Sequence, residues 1–378
     1  MKLFKSLLVA PAALGLLAPM SATANEITVG DFTPAEELAI TNSRVDGLEA
    51  RLNNIEAGSF SETTTASFSA DMMIGAVTGG AQNDENEAIG DGTMAGYSFQ
   101  IDLNTSFTGE DSFDVSLDAG NSGATGIVEF GGNSGGDQLS VDGVSYTFPL
   151  GDKTTVIVGD NTDGSALFTT SCAYGGPSDT LDDCGNVNAG ITNGGAMVGA
   201  SYDFGTGFTA AVGYAAGESD MATGLMTKET LDAYGVNAAY TGDNFGISVT
   251  YGLVETSSAD EDTFTAFNGY YAPEGFPSIS VGYEIGEDGS VTDKTADELT
   301  SFFVGLQFDE LGPGSAGIAV GTKTPTVEKT DEQYMYEAYY SYPINDGMTI
   351  TPLVFIKETS TAGVDDETGV MVKTSFSF

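Results

Sequence analysis

The sequence contains no histidine and no tryptophan, and it holds only two cysteines among its 378 residues. Without histidine, a hydrolase dyad or triad of the usual kind cannot form, and a metal site would have two thiolates and no imidazole ligand. No phosphate-binding loop is present, and the carboxylates are too numerous for any pair to stand out as catalytic. These absences argue against an enzyme, and we expect neither a metal nor another cofactor.

Basic residues are also scarce, because 11 lysines and arginines oppose 55 aspartates and glutamates. Such an excess of acid argues against nucleic acid as a partner. Both arginines, Arg44 and Arg51, precede residue 58, so lysine is the only basic residue in the rest of the chain. A solubilising or halophilic surface is one interpretation of the acidic balance, and it has to be weighed against where the acids point.

Long apolar runs are missing beyond the first residues. The chain opens with Lys2 and Lys5, an apolar stretch over 6–20, and the small residues of 22–24, a pattern typical of a secretory signal. The alternative is a membrane anchor, but prolines and a glycine interrupt a stretch shorter than the roughly 20 residues of a spanning helix. We predict a signal peptide at 1–24 and a linker at 25–33. The later sequence excludes a helical membrane protein, but it allows a membrane β-barrel, whose strands are apolar only at every second position.

A heptad pattern follows the linker and covers residues 34–57. Its a and d positions hold Leu38, Thr41, Val45, Leu48, Leu52 and Ile55. The two arginines fall at g and two glutamates fall at e, where helices of partner chains would pair with them. The pattern predicts a short coiled coil between copies of the chain, in a homotrimer. An amphipathic helix lying on its own chain is the alternative interpretation.

Beyond Gly58 the helical period gives way to strict alternation. The segment "NFGISVTYGLV" places large apolar residues at every second position from Phe245 to Leu253, with glycine, serine and threonine between them. One face of such a strand is apolar and the other is small and polar. Tight turns alternate with longer acidic connections, as in a membrane barrel with short periplasmic turns and long outer loops.

Counting these segments gives about sixteen antiparallel strands in a barrel domain over 58–378. Five strands are predicted at 62–77, 94–107, 111–119, 137–150 and 153–159, with 120–136 as a loop, and eleven more lie from Gly195 to the end. The last strand stays apolar on one face to its final residue. Closure against the first strand explains this, because Phe376 and Phe378 would then meet lipid at the aromatic girdle and resemble the insertion signal of outer-membrane proteins. A soluble β-sandwich would not predict a polar opposite face on nearly every strand.

The order of these features resembles a known family. The signal "MKLFKSLLVAPAALGLLAP", the coiled coil "SRVDGLEARLNNIEAGSFSETT", the strand "FDVSLDAGNSG" and the hairpin "VSYTFPLGDKTTVIVGD" are similar to cyanobacterial outer-membrane porins, relatives of the carbohydrate-selective (OprB-like) porins. The resemblance implies a trimeric channel in the outer membrane of a Gram-negative-type bacterium, with sugars, inorganic ions or iron as cargo. Family members usually carry a surface-layer homology domain that grips the cell wall. Only residues 26–33 lie at that place here, so contact with peptidoglycan is not carried over.

The alternation also assigns charged residues to the inside of the barrel. The predicted inward set comprises Asp71, Asp102, Asp114, Asp118, Glu284, Glu337, Lys323, Lys357 and Lys373. Opposed acidic and basic walls would set a transverse field across a pore. Since the barrel holds no arginine, we expect a preference for cations, and the lack of tryptophan argues against specific sugar binding. The alternative is that these groups are merely solvated charges outside the narrow zone.

The segment 160–194 is too long and irregular for a hairpin connection, and we predict that it folds into the barrel. It contains both cysteines, Cys172 and Cys184, and a bond between them would persist in an oxidising compartment. Closing such a loop would contribute about 3 kcal/mol to stability. The predicted constriction residues are Asp160, Asp163, Asp179, Asp182 and Asp183.

These features together predict a porin, which is a passive, water-filled channel for small hydrophilic solutes and inorganic ions, embedded in outer-membrane lipid. A carbohydrate-selective or iron-uptake porin is one alternative. A structural tether of the envelope, with incidental solute passage, is another. Conductance would separate the pore from the tether.

Overall fold

The computed structural model describes residues 64–80, 92–122, 127–133, 136–192, 194–217, 224–227, 231–256, 260–291, 297–328, 330–360 and 363–378. The chain divides into two units, 1–59 and 60–378, and the described residues all belong to the second. The signal peptide, the linker and the coiled coil at 34–57 lie outside the described residues and stay predictions. No helix in the described part is long and apolar enough to cross a membrane.

The described residues form sixteen long strands, one two-residue strand and a 3-10 turn. The strands are β1 Thr64–Thr78, β2 Gly92–Thr105, β3 Ser112–Gly120, β4 Ser140–Pro149, β5 Thr154–Asp160, β6 Met197–Gly205, β7 Phe208–Ala216, β8 Asp232–Thr241, β9 Phe245–Glu255, β10 Glu261–Tyr271, β11 Ser278–Glu287, β12 Glu298–Leu311, β13 Gly314–Thr322, β14 Thr326–Val327, β15 Tyr334–Asn345, β16 Met348–Lys357 and β17 Glu367–Ser377. The 3-10 turn spans Ile127–Phe130 and lies between β3 and β4.

Each long strand pairs antiparallel with its neighbours in the chain, β13 pairs with β15, and β17 pairs with β1. The sheet therefore closes into a barrel of sixteen strands, as the sequence predicts, while β14 pairs only with the end of β12. At the seam, the Phe68 and Phe378 backbones exchange two hydrogen bonds of 2.9 and 3.0 Å. Their rings stack with centroids 5.7 Å apart, so the apolar end of the chain has its partner on the first strand.

The connections alternate in length around the barrel. Residues 206–207 join β6 to β7 and residues 312–313 join β12 to β13, whereas residues 217–231 join β7 to β8. We call the two ends of the barrel the short-turn end and the long-loop end. The connection between β5 and β6, residues 161–196, belongs to the long-loop end, and we call it the inward loop.

The outer and inner faces of the strands differ as the alternation predicts. On β9, Ile247, Val249 and Tyr251 are 58, 38 and 41 % exposed on the outside, while Ser248 and Thr250 are buried on the inside. Because water cannot stabilise so continuous an apolar surface, an outer face of this kind fits a lipid environment.

One part of the interior departs from the small and polar pattern. On strands β12, β15, β16, β17 and β1, large apolar side chains also point inward and are buried almost completely. This inner apolar cluster includes Met73, Phe303, Met335, Leu353, Phe355 and Met371. These residues pack against Phe130 of the 3-10 turn and against Tyr174, Leu181 and Cys184 of the inward loop. The interior of the barrel therefore has its own hydrophobic core, which holds the loops.

Candidate functional site: the inward loop and the inner wall

The inward loop crosses the inner wall in an extended conformation and is hydrogen-bonded to one polar side chain on each of several strands. The backbone N–H groups of Thr169, Ser171, Ala173 and Gly175 donate to Asn237 Oδ1, Ser248 Oγ, Ser280 Oγ and Gln307 Oε1 at 3.0, 2.9, 2.9 and 3.4 Å. These four residues alternate along the loop because alternate N–H groups of an extended chain point to the same side, and Tyr174 N also donates to Ser280 Oγ at 3.1 Å. The four acceptors stand on β8, β9, β11 and β12, so the loop runs around the barrel from strand to strand.

Glycines on the inner faces of β7, β9 and β11 make room for the loop. A Cβ atom at Gly282 would lie 1.8 Å from the carbonyl oxygen of Cys184, and one at Gly213 would lie 2.0 Å from that of Gly164. At Gly252 the distance to the carbonyl oxygen of Ala189 would be 2.7 Å. At these three positions the loop backbone approaches the strand so closely that only glycine leaves enough room. The sequence analysis missed this role, although the signal was present as glycine at inward positions of several strands.

Cys172 and Cys184 form a disulfide, with their Cα atoms 6.4 Å apart, which confirms the predicted bond. Cys184 is 1 % exposed, and its carbonyl oxygen accepts a hydrogen bond of 2.8 Å from Asn268 Nδ2 on β10. The covalent bond and the wall contact hold the same point of the loop. Residues 172–184, which include three of the predicted constriction aspartates, are thereby confined to one region of the interior.

Two carboxylates predicted to line a pore are buried between the wall and the loop. Glu284 on β11 is 2 % exposed and accepts hydrogen bonds from Asn188 N, Asn188 Nδ2 and Ala189 N at 2.8, 2.9 and 2.7 Å. Glu337 on β15 is 4 % exposed and accepts a hydrogen bond of 2.6 Å from the Tyr174 hydroxyl. Both point inward as expected, but their contacts are with the loop. Their direct effect is to fix its position.

The three inward lysines do not form one basic wall. Lys357 makes an ion pair with Glu129 of the 3-10 turn, and both side chains are largely buried. Lys323 Nζ donates to the Glu358 carbonyl oxygen at 3.0 Å, near the long-loop end. Lys373 Nζ lies 5.4 Å from the centroid of the Phe130 ring. Lys373 also lines a cavity of the interior, toward the short-turn end.

Glu129 is a residue that the sequence analysis did not single out, since 120–136 was interpreted only as a loop. Besides Lys357, its carboxylate accepts a hydrogen bond of 2.9 Å from Thr180 Oγ1 of the inward loop. Its backbone oxygen accepts another of 2.9 Å from Asp179 N. A single acid within the apolar sequence "IVEF" was the available signal. Glu129 connects β16, the 3-10 turn and the inward loop.

The four aspartates of the first three strands share the inward face of those strands, and Asp102 is a diagonal neighbour of both Asp114 and Asp118. Register places Asp102 opposite Ser116, Asp114 opposite Asn104 and Asp118 opposite Gln100. Asp71 shares their inward face through its partner Ser98 on β2.

Each of the three aspartates on β2 and β3 also accepts hydrogen bonds from neighbouring polar side chains. Asp102 accepts from Gln100 Nε2 at 2.9 Å and from Ser116 Oγ at 2.7 Å. Asp114 accepts from Asn104 Nδ2 at 2.6 Å, and Asp118 accepts from Ser140 Oγ at 2.9 Å. These side chains are only partly buried. Their contribution to ion selectivity stays a prediction.

The loop acids form a second negative region. Asp163, Asp182 and Asp183 line a cavity of about 490 Å³, together with Tyr174 and Asn186. Asp182 and Asp183 are exposed to water inside the barrel. Partial desolvation at the cavity lining, strengthened by the neighbouring carboxylates, raises the pKa of Asp182 to about 6 and the pKa of Asp183 to about 7.

The two flanking acids and Asp179 extend this negative region. Burial also raises the pKa of Asp163, with a contribution from Asp142. Burial and Glu129 raise the pKa of Asp179. Asp160 is the last residue of β5, immediately before the inward loop. The negative charges of the loop thus repel one another, and an added cation would relieve that repulsion.

The fold is that of known porins. Pseudomonas putida OprB, in a structure at high pH, matches with a TM-score of 0.58 and 12% identity over 84% of this chain and 94% of that chain. A mutant of Rhodopseudomonas blastica porin matches with a TM-score of 0.55 and 14% identity over 83% of this chain and 100% of that chain. At these identities the likeness concerns the fold alone. No protein-family model matches the sequence.

A relative in sequence is an uncharacterized protein of Nostoc sp. (strain PCC 7120 / SAG 25.82 / UTEX 2576). It is 24% identical over 441 aligned positions, which cover 95% of this chain and 74% of that protein. The match extends over almost the whole chain, and it adds no activity, since none is stated for that protein.

Proposed function

We propose that this protein is a porin of the outer membrane, a passive channel for small hydrophilic solutes and inorganic ions. The observation that carries the proposal is the asymmetry of the interior. The inward loop is bonded to the inner faces of β8, β9, β11 and β12, whereas β2 and β3 present partly exposed charged side chains. A loop held to one side of a wide barrel narrows the passage without filling it.

The outer surface supports a position in lipid. Val212, Ile247 and Phe267 are 54, 58 and 53 % exposed on the outside of three different strands. Exposed apolar side chains in such density fit contact with outer-membrane lipid, and the porin fold fits a Gram-negative-type outer membrane. We further propose a homotrimer that uses the predicted coiled coil at 34–57, and a cyanobacterial origin, for which the Nostoc relative is the support.

A cation preference is the finer part of the proposal. Acids occupy β1 to β3 and the inward loop, while the charge of Lys357 is offset by its ion pair with Glu129. The screening length is about 30 Å at 0.01 M salt and about 3 Å at 1 M, so the preference should be strong in dilute KCl and fade in concentrated KCl. Exchange of Asp102, Asp114 and Asp118 for asparagine should reduce it.

Planar-bilayer recordings test both parts of the proposal. A purified protein that forms no ion-conducting pores would favour the structural tether. Pores whose reversal potential in a dilute KCl gradient has the anion-preferring sign would overturn the cation preference and leave the channel in place. Comparison of small sugars with salts in the same bilayers distinguishes a general channel from a carbohydrate-selective one, and ferric complexes extend the comparison to iron uptake.

A further inference from the structure

A second cavity of the interior differs in charge from the acidic one. It has a volume of about 390 Å³ and lies between residues 175–177 of the inward loop and the inner faces of β12, β13, β15, β16 and β17. It opens toward the short-turn end, because Ser315 and Thr349 are the second residues of β13 and β16 after their short turns. The inward loop separates the two cavities, since Tyr174 lines the acidic one and Gly175 lines this one.

The lining of this cavity contains one positive charge and no acid. The lining includes Lys373 together with five hydroxyl-bearing residues, Ser315, Ser341, Thr349, Thr351 and Ser375. The lining of the acidic cavity, by contrast, contains Asp163, Asp182 and Asp183. Among the described residues, the lysine ion pair is that of Lys357 with Glu129, so the charge of Lys373 is not offset in this way.

The polar groups offer hydrogen-bond donors to a ligand. The hydroxyls of Ser341 and Thr351 lie 3.2 Å apart, so one donates to the other and the second keeps its proton free to donate. Gln307 Oε1 already accepts a hydrogen bond of 2.5 Å from the Tyr339 hydroxyl, which leaves the Gln307 amide hydrogens as its free groups. An ammonium group with several hydroxyl and amide donors suits a compact ligand that carries several negative acceptor oxygens.

We propose that this cavity binds a small oxyanion, with Lys373 as the charged contact and the surrounding hydroxyls as donors. Inorganic phosphate and sulfate have this chemistry, as does the phosphate or carboxylate group of an organic solute. The inference rests on the proposed function only in that the anion must reach the cavity through the barrel. The channel would then contain a binding site for anions beyond the inward loop, separate from the acids that favour cations.

Acids outside the lining weaken the site. Asp309 and Glu310 line an adjoining pocket that shares Ser315, Ser341 and Thr349 with this cavity. Asp71 is opposite Ser375 in the register of β1 and β17, one position away diagonally from Lys373. Diagonal neighbours on antiparallel strands are about 7–8 Å apart, a distance at which the carboxylate repels a bound anion without cancelling the ammonium charge. Affinity for phosphate should therefore be modest, and it should increase when Asp71 is neutralised.

The test uses the full-length protein in detergent and inorganic phosphate at pH 8, with the broadening of the phosphate ³¹P resonance as the measure of binding. Lys373→Gln should weaken binding about tenfold, since it removes a charge-assisted hydrogen bond. Asp71→Asn should strengthen it about twofold to threefold. Lys323→Gln is the matched control, because that ammonium group contacts the Glu358 carbonyl instead. Lys373→Gln and Asp71→Asn are expected to change the affinity in opposite directions, and misfolding cannot produce an increase in phosphate binding.

Competition identifies the source of the ligand. Displacement of phosphate by sulfate but not by acetate or glucose 6-phosphate would identify a site for free inorganic oxyanions, and displacement by the organic ligands would extend it to solute-borne groups. Equal broadening for the native protein, Lys373→Gln and Lys323→Gln would overturn the proposal. Phosphate binding is measured without current, so a protein that binds phosphate but conducts no ions would contradict the channel alone.

Discussion

Replacement of Glu284 by alanine should detach one part of the inward loop from the barrel wall. The carboxylate of Glu284 is buried and accepts three hydrogen bonds of 2.7 to 2.9 Å from Asn188 and Ala189. Alanine would leave the two backbone N–H groups without their acceptor at a site where the side chain is 2 % exposed. Each buried unsatisfied group costs about 1–3 kcal/mol, so the loss is about 2–6 kcal/mol before water enters the vacated space.

The consequence should be local, because the other wall contacts of the loop remain. Ser280 still accepts from Ala173 N, and the Tyr174 hydroxyl still donates to Glu337. If water recovers part of the loss and about 3 kcal/mol remains, the population with residues 188–189 detached rises about 150-fold. Hydrogen exchange of the Asn188 and Ala189 amides should accelerate by that factor, and single-channel currents should become noisier as the loop moves.

Glu287→Ala is the matched control for this experiment. Glu287 stands three residues further along β11 and is exposed, so its removal changes the charge equally without touching the loop. Glu284→Gln should fall between the two, since an amide oxygen can accept hydrogen bonds while the amide nitrogen cannot. If exchange at residues 188–189 is the same in Glu284→Ala and Glu287→Ala, the carboxylate does not hold the loop and the reasoning fails.

Three further predictions concern the loop acids, the disulfide and the predicted helix. The pKa of Asp182 is raised to about 6 and that of Asp183 to about 7, so both carboxylates protonate as the pH falls from 8 to 5. Cation preference in dilute KCl should therefore decrease over that range. In the Asp182→Asn, Asp183→Asn double variant, cation preference should depend less on pH. Reduction of the bond between Cys172 and Cys184, or replacement of both cysteines by serine, should lower stability by about 3 kcal/mol. It should also broaden the distribution of single-channel conductances. An unchanged distribution would show that the wall contacts are sufficient to hold the loop in place. Leu48→Asp should dissociate the proposed trimer in detergent, and a trimer with an unchanged melting temperature would assign that segment another purpose.

The sequence by itself determined the barrel. Alternation of side chains is a property of the strand backbone, so Ile247, Val249 and Tyr251 show the outer face of β9 without knowledge of any other strand. Turn residues and acidic connections indicated where strands end, and the apolar face that persists to Phe378 indicated that the last strand has a partner. Sixteen strands and closure of the last strand on the first followed from local patterns alone. The disulfide followed as well, because the long segment contains the only two cysteines.

Only the tertiary structure decided what the inward-pointing residues do. Thr169 and Asn237 are separated by 68 positions in the chain, and Tyr174 and Glu337 by 163, so no local pattern connects them. The alternation of apolar and polar side chains predicts that Glu337 points inward, but it does not indicate whether a loop covers that side chain or water reaches it. For the same reason the sequence could not distinguish Lys357, which is paired with Glu129, from Lys373, which faces a cavity. The reason is that the path of the inward loop depends on the sum of contacts with many strands, and that sum exists only when the barrel has closed.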